Sequence, residues 1–146
     1  MATEGNHEIV LKALSQLGNV GGEPYWTWYG FNYRIEWCAC FVSWCAYQCG
    51  YVQSGSVPSF ISCKVGIDWF KAHNQWKGRS YTPKSGDYIF FDWEPDGVAD
   101  HIGIVDYYEN GYVYTVEGNS SDTCRTKSYS IDDSCIYGFA VPNFKK

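Results

Sequence analysis

A cysteine attacks as its thiolate, and a helix N-terminus with a nearby histidine lowers a thiol's pKa from about 8.5 into a range of about 3.5–7.5. Among the seven cysteines, Cys38 has the best position for this. It opens a segment, Cys38 to Cys49, in which Phe41, Val42, Cys45 and Cys49 form an apolar stripe and Gly50 supplies a stop, so a helix is predicted there. Unpaired N–H groups and the dipole at the start of that helix favour negative charge. Cys40 shares the turn but points elsewhere, and Cys45 and Cys49 lie too far along the helix. Of the three histidines, His7 falls in the first helix and His73 near the polar end of a later one. His101 remains as the base, directly before the strand Ile102-Gly103-Ile104-Val105. A Cys–His pair needs a third group to orient the imidazole, and Asp, Glu or Asn serve. Glu117 and Asn119 end the strand that should pair with the one His101 begins. Taken singly, each residue has an ordinary reading: a small buried hydrophobe for Cys38, a strand start for His101, turn residues for Glu117 and Asn119.

The elements that must position these groups divide into a helical first half and a strand-rich second half, which predicts an α+β domain. Ile9, Val10, Ala13, Leu14 and Leu17 recur at helical spacing before Gly18, and a shorter helix is predicted over Ser62 to His73. Between the first two helices, Asn19 to Trp37 mixes Gly21, Gly22, Pro24 and Gly30 with seven aromatics and reads as a long aromatic loop. From Lys84 onward the period changes to two, with strands predicted at Gly86–Asp92, His101–Tyr108, Tyr112–Gly118, Cys124–Ser130 and Ile136–Val141. The chemistry constrains the hairpin between His101 and Glu117. A plain two-residue Asn110-Gly111 turn sets Ile104 opposite Glu117 and turns His101 away from its partners. A three-residue loop, Glu109 to Gly111, or a bulge of the same effect, pairs Gly103 with Glu117 and His101 with Asn119, and Gly111 is expected at positive φ.

Three segments resemble a known family. Glu36-Trp37-Cys38-Ala39-Cys40-Phe41-Val42-Ser43-Trp44-Cys45-Ala46 is similar to the nucleophile motif of the CHAP family, the cysteine, histidine-dependent amidohydrolases/peptidases. Asp100-His101-Ile102-Gly103-Ile104-Val105 resembles its histidine motif and Val116-Glu117-Gly118-Asn119-Ser120 its Glu-Gly-Asn segment, with Pro83 to Phe91 fitting between. The resemblance runs from the N-terminal helix to about Val141. It implies a papain-like fold, with helices packed on an antiparallel sheet of about five strands. It also implies Cys38 as nucleophile, His101 as general base, Glu117 orienting the histidine and Asn119 positioning nearby groups. The implied substrate is bacterial peptidoglycan, cut at an amide bond by an amidase or endopeptidase, with no cofactor. Two other functions compete: an idle wall-binding module, and a cysteine amidase or peptidase acting on soluble peptides.

Composition bounds the remaining possibilities. The 146 residues fit one domain, 1–146, whether whole or excised from a longer protein, and 45 % apolar content excludes a disordered tail. A net charge of −5, with scattered Lys and Arg, gives no footprint for nucleic acid, and no apolar run is long enough to span a membrane. Met1 to Lys12 lacks a secretory pattern, so extracellular or wall-acting use implies a phage lysis protein or a domain of a longer secreted one. An acidic domain gains no attraction to an anionic wall, which predicts targeting by a separate wall-binding module or domain; a monomer is expected. In the aromatic loop, Trp28, Tyr29 and Trp37 are the candidates for stacking on substrate, although most of these rings should be core. Asp92 to Asp100 partly matches a calcium loop but has Gly103 where the closing Glu belongs, and no metal is expected. Seven cysteines leave at least one unpaired, and Cys124 and Cys135 are candidates for a late bridge.

Overall fold

The computed structural model describes residues 6–146; residues 1–5, the start of the stretch read for a secretory pattern, lie outside the described residues. Four helices come first: α1 His7–Leu14, α2 Glu23–Tyr29, α3 Cys38–Gln48 and α4 Cys63–Ala72. The strands β1 Trp76–Lys77, β2 Tyr88–Phe91, β3 His101–Glu109, β4 Tyr112–Ser120, β5 Thr123–Ser130 and β6 Ile136–Ala140 follow. They form one sheet in the order β1-β6-β2-β3-β4-β5, with every neighbouring pair antiparallel. The five expected strands are present. The sixth, β1, adds Trp76 opposite Ala140 on the far side of β6 and is too short to carry a period-two signal.

Local chemistry accounts for the helix ends. Asn6 Oδ1 accepts from the Ile9 N–H at 3.1 Å to start α1, and Ser62 Oγ accepts from Val65 N–H at 3.3 Å to start α4. The aromatic segment is not all loop, because Pro24 in the first turn and Gly22 in the left-handed conformation before it set up α2. That helix has seven residues and buries only Tyr25, so it presents no apolar stripe to read. Helix α3 departs from expectation in the opposite sense. It carries no charged side chain and buries eight of its eleven residues, so its solvent side shrinks to Tyr47 and Gln48 in the last turn, with Trp44 partly open. It lies against α1, α2, β3 and β4. Its buried Ser43 hydroxyl donates to the Phe60 carbonyl and accepts from the Phe60 N–H, both at 2.9 Å, which fixes the chain leading to α4.

The sheet separates two apolar clusters. Tyr88, Phe90, Ile102, Ile104, Val116 and Cys124 face the helices, while Ile89, Phe91, Val105, Val113, Tyr129 and Phe139 pack together on the other face. Register assigns His101 to the second face, because it pairs with Phe91, and Gly103 likewise, because it pairs with Ile89. Cys124 packs with the first cluster and Cys135 against the second. The two, candidates for a bridge by sequence, are not joined, and all seven cysteines are free thiols.

The hairpin joining β3 and β4 closes by a two-residue turn, with Asn110 and Gly111 at φ 53° and 85° and Glu109 opposite Tyr112. The register correction sits elsewhere: Val105 pairs with Thr115 and Tyr107 with Tyr114, so Asp106 is an extra residue in β3. This bulge has the effect that the chemistry demanded. Ile104 lies opposite Val116, and one step further Glu117 comes over Gly103. A Cβ on Gly103 would stand 2.8 Å from Glu117 Cγ, so only glycine leaves room for that side chain.

Candidate active site

Cys38 is the first residue of α3, and no side chain of the described residues caps the helix there. Its first N–H groups therefore have no partner within the helix. The residue is 7 % exposed, so only an edge of the thiol is open. Three groups meet its sulfur: the Cys63 thiol from the start of α4, the His101 ring and the Ile102 backbone N–H. The Cys63 hydrogen bond, followed by the hydrogen bond and positive charge of His101, outweighs burial and holds the Cys38 thiol well below its ordinary range. Cys63 shifts upward in response, because it gives its hydrogen to Cys38 and is itself buried. Cys40 is different in kind. Its sulfur lies 3.0 Å from the Tyr25 carbonyl, and burial, with the Cys38 charge, pushes its thiol up to about 12.

His101 Nε2 lies 2.9 Å from Glu117 Oε1, and the ring adjoins the Cys38 sulfur. Burial opposes the imidazolium, but the Cys38 and Glu117 hydrogen bonds and charges carry the ring up to about 9. Glu117 is 1 % exposed. Its Oε2 accepts from Thr115 Oγ1 at 2.6 Å and from Tyr129 Oη at 2.7 Å. Burial raises the carboxyl, yet the His101 interactions and the two hydroxyls together leave it below the usual carboxylate range. Trp93 and Phe91 stack at 4.7 Å, and each lies 5.8 Å from the His101 ring, with half of Trp93 open to solvent.

Asn119 does not sit across from His101. The β4–β5 ladder slips between Glu117 and Ser120, and Asn119 takes φ 58°. Its amide instead donates to Glu36 Oε1 at 2.8 Å, and its Oδ1 accepts from Arg34 Nη2 at 2.9 Å. Arg34 Nε reaches Asp122 Oδ1 at 2.9 Å, and Trp37 Nε1 donates to the same oxygen at 3.0 Å. Asn119 thereby ties the end of β4 to the segment that delivers Cys38.

Trp37 offers no surface for stacking on a ligand, because it is fully buried and stacked on Tyr25 at 5.5 Å. Trp28 and Tyr29 are half-buried: Trp28 meets Tyr47 at 5.1 Å, and Tyr29 stacks on Phe31 at 6.1 Å. The carboxylates of Asp92 and Asp100 are engaged by their own loop. Asp92 accepts from Gly97 N–H at 2.8 Å, and Asp100 from Trp93 N–H at 3.1 Å. Among the described residues, no group of three or more His, Cys, Asp or Glu is placed to hold a metal ion, and no helix is long and apolar enough to cross a membrane.

Sequence reasoning missed Cys63, Trp93, Thr115 and Tyr129 near the thiol, imidazole and carboxylate. Thr115 carried a signal, since it precedes Glu117 by two in a strand and shares its face. Tyr129 and Cys63 carried none, because strand register and helix docking bring them in.

Known structures share this architecture. Two crystal structures of Ly7917 match with TM-scores of 0.58 and 0.62 at 16 % identity, the second with the hydrolysing product of MDP. Each match covers 93 % of this chain and 62 % of Ly7917, so the chain spans less than two thirds of that protein. A lipoprotein-like protein of the NLP/P60 family from Staphylococcus aureus matches at 17 % identity and TM-score 0.51, over 95 % of this chain and 43 % of that one. These likenesses are of fold, and they make the α+β architecture a papain-like one. No curated protein matches the sequence significantly. The CHAP domain model matches residues 28–119, which is more than half of the sequence and includes Cys38, His101, Glu117 and Asn119, and the chain belongs to the CHAP domain family.

Proposed function

We propose that this chain is a cysteine-dependent hydrolase that cuts amide bonds of bacterial peptidoglycan, as an N-acetylmuramoyl-L-alanine amidase or an endopeptidase. The observation that carries the reading is the continuous line from the Cys38 thiol through His101 to the buried Glu117, with a 2.9 Å contact between the last two. In this reading the Cys38 thiolate attacks the amide carbon. Unpaired N–H groups at the start of α3 receive the oxyanion, and His101 protonates the leaving amine. The resulting thioester is then hydrolysed by water that His101 activates. Glu117 holds the ring and balances its charge.

Family membership supports the hydrolase class, and the MDP product described for Ly7917 supports a peptidoglycan-derived substrate. Asn119 acts in this scheme through Arg34 and Glu36, as a tie that positions the entry to α3. Trp28 and Tyr29 remain the aromatic candidates for substrate contact. The protein is expected to work on the wall outside the cytoplasm, as a monomer beside a separate wall-binding module.

Zymography on purified wall, set against assays on soluble peptides, tests the reading. Clearing of wall that is lost in Cys38→Ala supports it. Cleavage of soluble peptides only reassigns the substrate, and binding without cleavage in the native protein removes the enzyme reading. Mass spectrometry of released fragments then separates the two bonds, because an amidase leaves a free lactyl carboxyl and an endopeptidase a new peptide end.

A further inference from the structure

Resting on the hydrolase reading above, we infer that Thr115 and Tyr129 are positioning residues, whose hydroxyls keep Glu117 ionised and aimed at His101. A buried carboxylate is tolerated only when its oxygens are hydrogen-bonded. Glu117 meets that condition with one oxygen on His101 and the other shared by Thr115 and Tyr129, at 2.6 and 2.7 Å. Three donors converge on one side chain, so the arrangement suits the ionised acceptor, whereas a protonated Glu117 would keep all its partners only if one hydroxyl turned its own hydrogen away. Burial and the Glu117 charge push the Tyr129 phenol upward, so it stays a donor at any working pH.

The geometry of both hydroxyls is fixed. Thr115 stands two residues before Glu117 on β4, and Tyr129 pairs with Val113 across β5, which brings both to the His101 face. The Tyr129 ring packs on Phe91 at 4.7 Å and near Trp93 at 6.0 Å. The other titratable groups around this carboxylate come from several elements. Cys38 and Cys63 lie behind the imidazole, with Asp100 acting on Cys63. Asp133 and Cys135 flank Tyr129 from beyond β5, Lys127 lies 5.9 Å from its ring, and Arg125 is the register partner of Glu117. None of these makes a hydrogen bond to Glu117; the two hydroxyls and His101 do.

Loss of one hydroxyl raises the proton affinity of Glu117. When Glu117 takes a proton, His101 loses its counter-charge and the thiolate–imidazolium pair reverts to neutral thiol. The acid limb of reactivity must therefore move to higher pH. The test is the rate of Cys38 alkylation by iodoacetamide against pH, followed by peptide mass mapping, in Tyr129→Phe, Thr115→Val and Thr115→Ser. The acid limb should rise by about one unit in Tyr129→Phe and in Thr115→Val, and Thr115→Ser should restore the native profile. Tyr129→Phe removes a single oxygen and keeps the ring packing, so its fold is secure even if Thr115→Val is damaged. An unmoved acid limb in Tyr129→Phe overturns the inference. Alkylation needs no wall substrate. A shifted limb in a protein that fails to clear wall therefore removes the hydrolase reading alone, and an unmoved limb with wall clearing intact removes the inference alone.

Discussion

The two faces of the sheet contribute to the site in different ways. The helix-facing side supplies the proposed nucleophile from an almost wholly apolar helix, with unpaired N–H groups at its start and the Cys63 thiol and Ile102 N–H beside the sulfur. The opposite face supplies the proposed base from a chain of hydrogen bonds, His101 to Glu117 to Thr115 and Tyr129, set among Phe91, Val105 and Val113. Sulfur reactivity is thus a matter of where a helix begins, whereas imidazole basicity is a matter of strand register. A one-residue error leaves Cys38 where it is but turns His101 to the wrong side.

The sharpest way to break this contrast is at the sulfur. Cys38→Ala should lower wall clearing by about 10³-fold or more, while Cys40→Ala, one turn-mate away, should keep most activity. The reverse outcome, Cys40→Ala inactive and Cys38→Ala active, would place the nucleophile on the wrong residue.

The next largest effect is in pH. The folded pKa of His101 lies near 9, above its ordinary 6.5, so the stability its charge contributes is fully present below about 6.5 and lost as pH rises through about 9. Activity should fall over the same alkaline range, and the stability advantage over His101→Gln, on the order of 2 kcal/mol at pH 6, should vanish by pH 10. Urea melts at several pH values measure it, and an advantage that persists at pH 10 contradicts the assignment.

A smaller effect is expected at Cys63, which touches the nucleophile but not the base. Cys63→Ala should keep most wall clearing at pH 8, yet its Cys38 alkylation profile should begin at higher pH, because the thiolate has lost a donor. A profile identical to the native one would show that the helix start and His101 suffice.

The smallest effect belongs to the turn. Gly111→Val should cost about 1–2 kcal/mol through its positive φ, since a Cβ there meets nothing within 4 Å. Activity per folded molecule should be unchanged, because the bulge at Asp106 rather than the turn sets the register.

Much of this was legible in the chain. Period-two runs located β2 to β6, and the demand that His101 and Glu117 share a face required a shift in register. The sequence allows that shift as a three-residue loop or as a bulge, but only the loop has a visible site, Glu109-Asn110-Gly111, whereas nothing in Val105-Asp106-Tyr107 marks a bulge. Asn119 was misplaced for a related reason: register counting assumes a regular strand, and β4 breaks at that residue. Trp37 reads as a stacking candidate beside Cys38, but proximity in sequence says nothing about exposure. Helix docking brought in Cys63, which no local pattern announces.

The order of the strands has a consequence for when the site is complete. Strand β6 is the last of the described strands, yet it lies between β1 and β2, and its Ile136 is the neighbour of Phe91, which in turn carries His101. During synthesis, α3 and its thiol emerge about a hundred residues before that strand. A ribosome-bound chain ending anywhere before residue 136 leaves Phe91, the strand partner of His101, without its other neighbour. Completion of the sheet around His101 therefore waits on the last of the described strands, so a growing chain would hold the parts of the site before it holds their arrangement.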